Sequence, residues 1–179
     1  MKRSGAKPIT RETLEHVALR YLDRFDASVA KLRRVLEGHV RRASRVHETD
    51  ATAASQMIDE LLARYVASGL LSDRRFAENL VVGLRARGAS QRRITHKLRE
   101  RGIGQQDTEQ ALQSSGADSQ DAEFRAAVEF VRKKKLGPHR DPEQRAARRK
   151  ADLAALARAG FSYELARRVL GPSPDEDAF

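Results

Sequence analysis

The chain has 179 residues, of which 40% are hydrophobic, and its 35 basic and 25 acidic side chains give a net charge of +10 at neutral pH. It contains no cysteine, which excludes disulfides, iron–sulfur clusters, thiolate zinc sites and cysteine nucleophiles. No apolar run is long enough to span a membrane, and the basic N-terminus lacks the apolar stretch of a secretory signal, so we expect a cytoplasmic protein.

Apolar residues recur at helical spacing along most of the chain, and glycines and polar stretches interrupt them. A disordered segment is expected over residues 1–10, and the first helix starts at Thr10. Ser28 is placed to cap a second helix, whose apolar stripe includes Leu32 and Leu36. We expect the first group of helices to be completed by a third one.

The third helix is predicted to start at Thr52 or Ser55 and to stop at Gly69, which is suited to a helix C-terminus. Asp73 is expected to cap a fourth helix, which ends at Gly88. These assignments rest on the preference of short polar side chains for helix starts and of glycine for helix ends.

A second group of three helices continues from there. Ser90 opens a helix that stops at Gly102, and a short helix over 105–114 follows. The polar residues 114–120 are typical of a flexible linker.

A third group follows this linker. We predict a helix over 121–135, a loop at Leu136–Pro138, a helix over 142–159 and a last helix over 162–170. The chain thus contains about nine helices in three groups.

One segment of the sequence occurs twice, 58 residues apart. Leu98–Leu112 aligns without gaps on Leu156–Leu170, so that Gly102 corresponds to Gly160. A recurring unit of two helices joined at a glycine is typical of stacked helical modules, which cannot bury their apolar faces alone. We therefore predict an all-α protein of tandem three-helix repeats that form an elongated, curved array. The predicted boundaries are a disordered N-terminus over 1–10, repeats over 11–71, 72–115 and 116–171, and an acidic tail over 172–179.

The positive charge is concentrated in two blocks. Residues 74–103 carry nine basic and two acidic side chains, and residues 121–171 carry 13 basic and seven acidic ones. The connector over 104–120 has three acidic side chains and no basic one. Such blocks favour a surface for a polyanion or an acidic partner. Solvated helix faces remain the alternative.

The candidate partner-binding residues form two clusters within these blocks. In the first, Ile94 and Leu98 occupy the apolar stripe of one helix, so its cations are expected to point outward. In the second, four consecutive cations mark a helix end, where the helix dipole offers a purely structural alternative. The candidates for binding a polyanion or an acidic partner are Arg85, Arg87, Arg92, Arg93, Lys97, Arg99, Arg101, Arg132, Lys133, Lys134, Lys135, Arg148 and Arg149.

Three stretches in the middle of the chain, Gly69–Ala77, Arg85–Gly88 and Lys97–Ile103, resemble the RecX family of bacterial recombinase regulators. Tyr21–Leu32 is similar to the N-terminal signature of that family, and Leu156–Ser162 is similar to its C-terminal one. The resemblance implies tandem three-helix repeats. It also implies a regulator, active in DNA repair, recombination and the SOS response, that binds the RecA–DNA filament in its groove. The expected effect is inhibition of ATP hydrolysis, strand exchange and co-protease activity.

No motif of this sequence indicates catalysis. The five histidines lack metal-ligand spacing, and the glycine pattern of Gly83–Gly88 lacks the lysine of a phosphate-binding loop. We therefore expect no metal, no cofactor and no enzymatic activity, and a monomer that binds no membrane. The alternative function is a general DNA-binding helical protein that uses one repeat as a helix-turn-helix. A RecX-type regulator is also compatible with weak direct binding to DNA.

Overall fold

A computed structural model describes residues 8–48 and 50–172 of the chain. Within these ranges the chain forms nine α-helices and one short 3₁₀ helix and has no strand, which confirms the predicted all-α class. The disorder expected over 1–10 and the acidic tail expected over 172–179 lie outside the described residues, except for residues 8–10 and 172. The helices are α1 (Arg11–Leu22), α2 (Val29–Ala43), α3 (Ala51–Ala67), α4 (Asp73–Arg85), α5 (Gln91–Glu100), α6 (Gln105–Ser114), α7 (Gln120–Lys134), the 3₁₀ helix Gly137–His139, α8 (Pro142–Ala159) and α9 (Tyr163–Leu170).

The described chain divides into two compact units. The first contains the residues up to Phe76 together with Arg101–Ile103, and the second contains Ala77–Glu100 and the residues from Gly104 onward. The finer division into three repeats stays a prediction.

The core of the first unit forms where α1, α2 and α3 pack against one another. Leu14, Leu32, Leu36, Ile58 and Leu62 are each at most 3% exposed in this core. Burying a leucine or isoleucine side chain contributes about 1.5–3 kcal/mol. Packing therefore stabilises helices that are too short to be stable alone.

The second unit has its main core between α7, α8 and α9. Leu156 is fully buried there, and the rings of Phe130 and Phe161 lie 5.7 Å apart between centroids. Small residues such as Ala126 and Ala127 line the same core, which lets the helices approach closely. This core supports the turn between α8 and α9, which borders the candidate surface.

The predicted start of α3 at Thr52 or Ser55 is wrong, because Asp50 caps this helix. The Asp50 carboxylate accepts hydrogen bonds from the backbone N–H groups of Thr52 and Ala53, at 2.8 and 3.2 Å. An aspartate in this position satisfies N–H groups that have no partner inside the helix.

Asp73 does not cap α4 as predicted. Ser72 is the cap, since its carbonyl accepts the N–H of Phe76 and its hydroxyl accepts the N–H of Arg75 at 3.2 Å. Asp73 is the first residue of the helix, and its carboxylate accepts the N–H of Val29 at 2.8 Å. The carboxylate therefore connects the first residue of α4 to the start of α2.

The expected flexible linker over 114–120 is also wrong. Ala117 is 3% exposed, its N–H donates to the carbonyl of Leu112 at 2.9 Å, and its carbonyl accepts a hydrogen bond from Arg85. Helix α7 already begins at Gln120. These residues form a tight turn, which contacts two distant side chains: Arg85 donates to the Ala117 carbonyl, and the Ser114 hydroxyl donates to the Glu78 carboxylate at 3.3 Å.

Candidate partner-binding surface

The two copies of the repeated segment end their first helix in the same backbone geometry. Gly102 follows α5 with φ of 81°, and Gly160 follows α8 with φ of 95°. The aligned residues Leu98 and Leu156 are both fully buried. A positive φ is readily adopted only by glycine. The backbone geometry therefore explains why both copies of the segment have glycine at this position.

Each of these turns is held by a buried serine that caps another helix. The hydroxyl of Ser28, at the start of α2, donates to the carbonyl of Arg101 at 2.6 Å. The hydroxyl of Ser90, at the start of α5, donates to the carbonyl of Ala159 at 2.6 Å. Both hydroxyls also accept an N–H from their own helix, so each serine ties its helix to one of these two turns.

Both glycines approach these helix starts too closely for a side chain. A Cβ at Gly102 would overlap the Cβ of Ala30, and a Cβ at Gly160 would lie 2.6 Å from the hydroxyl oxygen of Ser90. The lack of space for a Cβ and the positive φ thus both require glycine at these two positions.

A carboxylate completes each contact. Asp73 accepts the first N–H of α2, and Glu123 accepts the N–H of Gln91, the first residue of α5, at 2.9 Å. The same set of contacts therefore occurs once inside each unit. We call each set a serine–glycine junction; the second one fixes the start of the cationic helix α5.

Arg85, a candidate partner-binding residue, instead belongs to the second junction. Its side chain is only 11% exposed and forms an ion pair with Glu123. The guanidinium also donates to the carbonyls of Ala89 and Ala117. These bonds order the ends of α4 and α7.

The other cations of the first cluster lie at the surface. Ile94 and Leu98 are fully buried, so α5 has the predicted apolar stripe. Lys97 forms an ion pair with Glu100 at 2.5 Å. The remaining five are exposed and have no ion-pair partner in the described part of the chain: Arg87, Arg92, Arg93, Arg99 and Arg101.

The run of four cations in the second cluster is partly structural. Glu129 accepts hydrogen bonds from Arg132 and Lys133, which together lower the pKa of its carboxyl group to about 2. Lys135 takes the left-handed conformation, with φ of 51°, and ends α7. Lys134 and Lys135 are exposed without an ion pair among residues 8–48 and 50–172. Cations also suit this helix end because of the helix dipole.

The two cations predicted on α8 have different environments. Arg148 is exposed and has no acidic partner among the described residues. Arg149 donates to the carbonyl oxygens of Gly171 and Pro172, at 2.8 and 3.2 Å. Arg149 therefore ties α8 to the end of α9, a role that sequence reasoning missed.

Sequence reasoning also missed a buried ion pair in the second unit. Asp152 is 2% exposed and accepts hydrogen bonds from Arg140 at 2.8 Å and from the N–H of Gly137 at 2.9 Å. The hydrogen bond to Asp152 raises the pKa of Arg140. The pair fixes the turn after α7, and its only sequence signal is one aspartate in the interior of an arginine-rich helix.

One exposed arginine close to the first cluster was not predicted. Arg158 lies in the last turn of α8 and, together with Arg92, Arg93 and His96 of α5, lines a groove of about 370 Å³. A second groove of about 690 Å³ adjoins it along α5 and reaches Arg99. Only the fold brings Arg158 next to α5, so no pattern in the sequence indicates its place in this groove.

Two further searches cover the part of the chain that the structure describes. No group of three or more histidine, cysteine, aspartate or glutamate side chains there is placed to hold a metal ion. None of its helices is long and apolar enough to cross a membrane.

Comparison with known proteins agrees with this architecture. Residues 72–112 match the family model described as RecX, second three-helix domain. The chain is 40% identical over 162 residues to the regulatory protein RecX of Myxococcus xanthus (strain DK1622), and the match covers 90% of this chain and 86% of the relative. The crystal structure of RecX from Lactobacillus salivarius is similar with a TM-score of 0.62 at 18% identity, covering 94% of this chain and 97% of the other.

The fold defines an all-α protein whose glycine-ended helices are held at serine caps. Identity over most of its length assigns it further: the chain belongs to the RecX family of regulatory proteins. This confirms the resemblance read from the middle of the sequence.

Proposed function

We propose that this protein binds the RecA–DNA filament in its groove and inhibits the recombinase, including its ATP hydrolysis, strand exchange and co-protease activity. It acts in the cytoplasm, as a monomer, by binding rather than by catalysis, and needs no cofactor. Family membership supports a regulatory role, and RecA as the partner is the proposal.

The observation that carries this proposal is the set of five exposed arginines on α5 and the turns beside it. They lie without acidic partners among the described residues, within the segment that the family model matches. Guanidinium groups left unpaired at a surface are suited to carboxylates and phosphates, both of which a nucleoprotein filament presents.

Inhibition follows from the way a rigid binding surface acts on a partner that changes conformation. A protein that contacts neighbouring protomers in one state of the filament stabilises that state. ATP hydrolysis needs the filament to cycle between states, so a bound regulator slows it. The serine–glycine junctions support this role because they hold the starts of α2 and α5 in fixed geometry.

Charge reversal on α5 tests the proposal. Replacing Arg92, Arg93, Arg99 and Arg101 by glutamate should weaken filament binding by about 100-fold at low salt, from four interactions of roughly 0.7 kcal/mol each. Co-sedimentation with RecA filaments on single-stranded DNA measures the affinity. Circular dichroism checks that helix content is unchanged.

A matched control reverses four exposed arginines elsewhere: Arg20, Arg24, Arg41 and Arg45. If the α5 variant still inhibits RecA fully, or if both variants lose the same affinity for the filament, the assignment of this surface is contradicted. Wild-type binding to naked duplex DNA as tight as to the filament, with a slope of about −0.9 per neutralised phosphate in log affinity against log salt, favours the general DNA-binding alternative.

A further inference from the structure

The two adjoining grooves form one continuous feature of the second unit. They share Arg92, His96 and Gly160, and the larger one extends along α5 to Arg99 while the smaller one reaches Arg158. We call this feature the arginine groove. One wall is the outer face of α5, and the other is the turn from α8 to α9.

The charge of the arginine groove is positive. Arg92, Arg99 and Arg158 are exposed and have no ion pair within the described chain. The one carboxylate in the lining, Glu123, already accepts hydrogen bonds from Arg85 and from the N–H of Gln91. The groove therefore offers unpaired donors, and its acidic group is already satisfied.

The arginine wall has the length of a short extended segment. Arg92 and Arg99 lie on one face of α5, about 10.5 Å apart along the axis at 1.5 Å per residue. An extended peptide spans this distance in about three residues at roughly 3.3 Å per residue. The opposite wall is built from small residues, including Ala157 and Gly160, which lets a peptide backbone approach.

Two features favour a peptide over a nucleic acid. No phenylalanine, tyrosine or tryptophan of the described residues lines either groove, whereas sites for single-stranded nucleic acid stack several bases on such rings. Thr95 and Ser162 also line the groove and provide polar groups for a peptide backbone.

We propose that the arginine groove binds an extended acidic segment of a protein partner, with carboxylates paired to Arg92 and Arg158. This inference rests on the proposed function, in which the protein partner is the recombinase. To that proposed function it adds a defined binding site, Arg158 as an additional contact residue, and the chemical class of the bound segment.

The direct test uses the full chain and a fluorescein-labelled peptide of alternating glutamate and serine. A peptide with glutamine in place of glutamate and a labelled oligothymidylate serve as comparison probes, and fluorescence anisotropy at low salt gives the affinities. Wild-type protein should bind the glutamate peptide more tightly than either comparison probe. Arg92→Gln with Arg158→Gln should weaken this binding about tenfold, the loss expected for two partly exposed ion pairs.

The control variant combines Arg20→Gln and Arg125→Gln, two exposed arginines outside the groove. It removes the same charge and should leave peptide affinity within about twofold, since neither arginine lines the groove in which the peptide lies. Tighter binding of oligothymidylate than of the glutamate peptide overturns the proposal, as does an equal loss in both variants.

The inhibition of RecA ATP hydrolysis separates this inference from the proposed function. If the wild type inhibits and the Arg92→Gln/Arg158→Gln variant inhibits equally well, the groove is not the contact, while the proposed function stands. If the wild type does not inhibit, the proposed function fails, and the peptide measurement alone decides about the groove.

Discussion

Replacing Ser90 by alanine should destabilise the protein by more than the loss of an ordinary helix cap. The Ser90 hydroxyl is fully buried, accepts the N–H of Arg93 at 3.2 Å and donates to the carbonyl of Ala159 at 2.6 Å. Losing a cap costs about 1 kcal/mol, and leaving a buried carbonyl without its donor costs about 1–3 kcal/mol more. We therefore expect a total loss of about 2–4 kcal/mol.

Ser119→Ala is the matched control, because Ser119 caps α7 by accepting the N–H of Ala122 at 3.1 Å but is exposed. Its loss should be about 1 kcal/mol. Urea unfolding followed by circular dichroism gives both free energies of unfolding. Equal losses for the two variants would refute the argument that Ser90 joins α5 to the turn after α8.

Two further predictions concern the first unit. Gly102→Ala should lower the free energy of unfolding by at least about 2 kcal/mol more than Gly69→Ala, as measured by urea unfolding. Both glycines have a positive φ, but only a Cβ at Gly102 would overlap Ala30. Equal losses for the two variants would contradict this close packing. Burial and the nearby Arg42 lower the pKa of His39 below its usual 6.5. The folded protein therefore binds this proton less tightly than the unfolded chain does. The contribution of His39 to the free energy of unfolding is complete above pH 6.5 and is lost as the pH falls below that value. The free energy of unfolding should decrease less between pH 7.5 and pH 5.5 for His39→Asn than for the wild type. An equal decrease in the two proteins would contradict the assignment of this pH dependence to His39.

Helix boundaries set by local chemistry were predictable from the sequence. The ends of α5 and α8 follow from Gly102 and Gly160, and the starts of α2 and α5 follow from Ser28 and Ser90. In each case a short-range hydrogen bond or a positive φ determines the boundary, so the residue type alone indicates it.

Roles that depend on distant residues were not predictable. Asp73 and Arg85 were assigned from their neighbours in sequence, yet their partners Val29 and Glu123 lie 44 and 38 residues away. The same holds for Arg149, which binds the carbonyls at the end of α9. Without the fold, a buried guanidinium and an exposed one look alike in an arginine-rich sequence.

The serine–glycine junctions lie between these two cases. The recurrence of glycine at a spacing of 58 residues was visible in the sequence, and it indicated a repeated turn. That each turn accepts a hydrogen bond from the cap of a different helix depends on packing. The repeat therefore predicted the turn itself, and the structure shows what the turn binds.

The most direct test of the proposed function is the DNA-dependent ATPase rate of the RecA recombinase, measured against increasing amounts of this protein. We predict suppression at amounts well below one molecule per recombinase protomer, because one regulator bound to a filament restrains several protomers. An unchanged rate at stoichiometric amounts, together with salt-sensitive binding to bare DNA, would contradict the proposal.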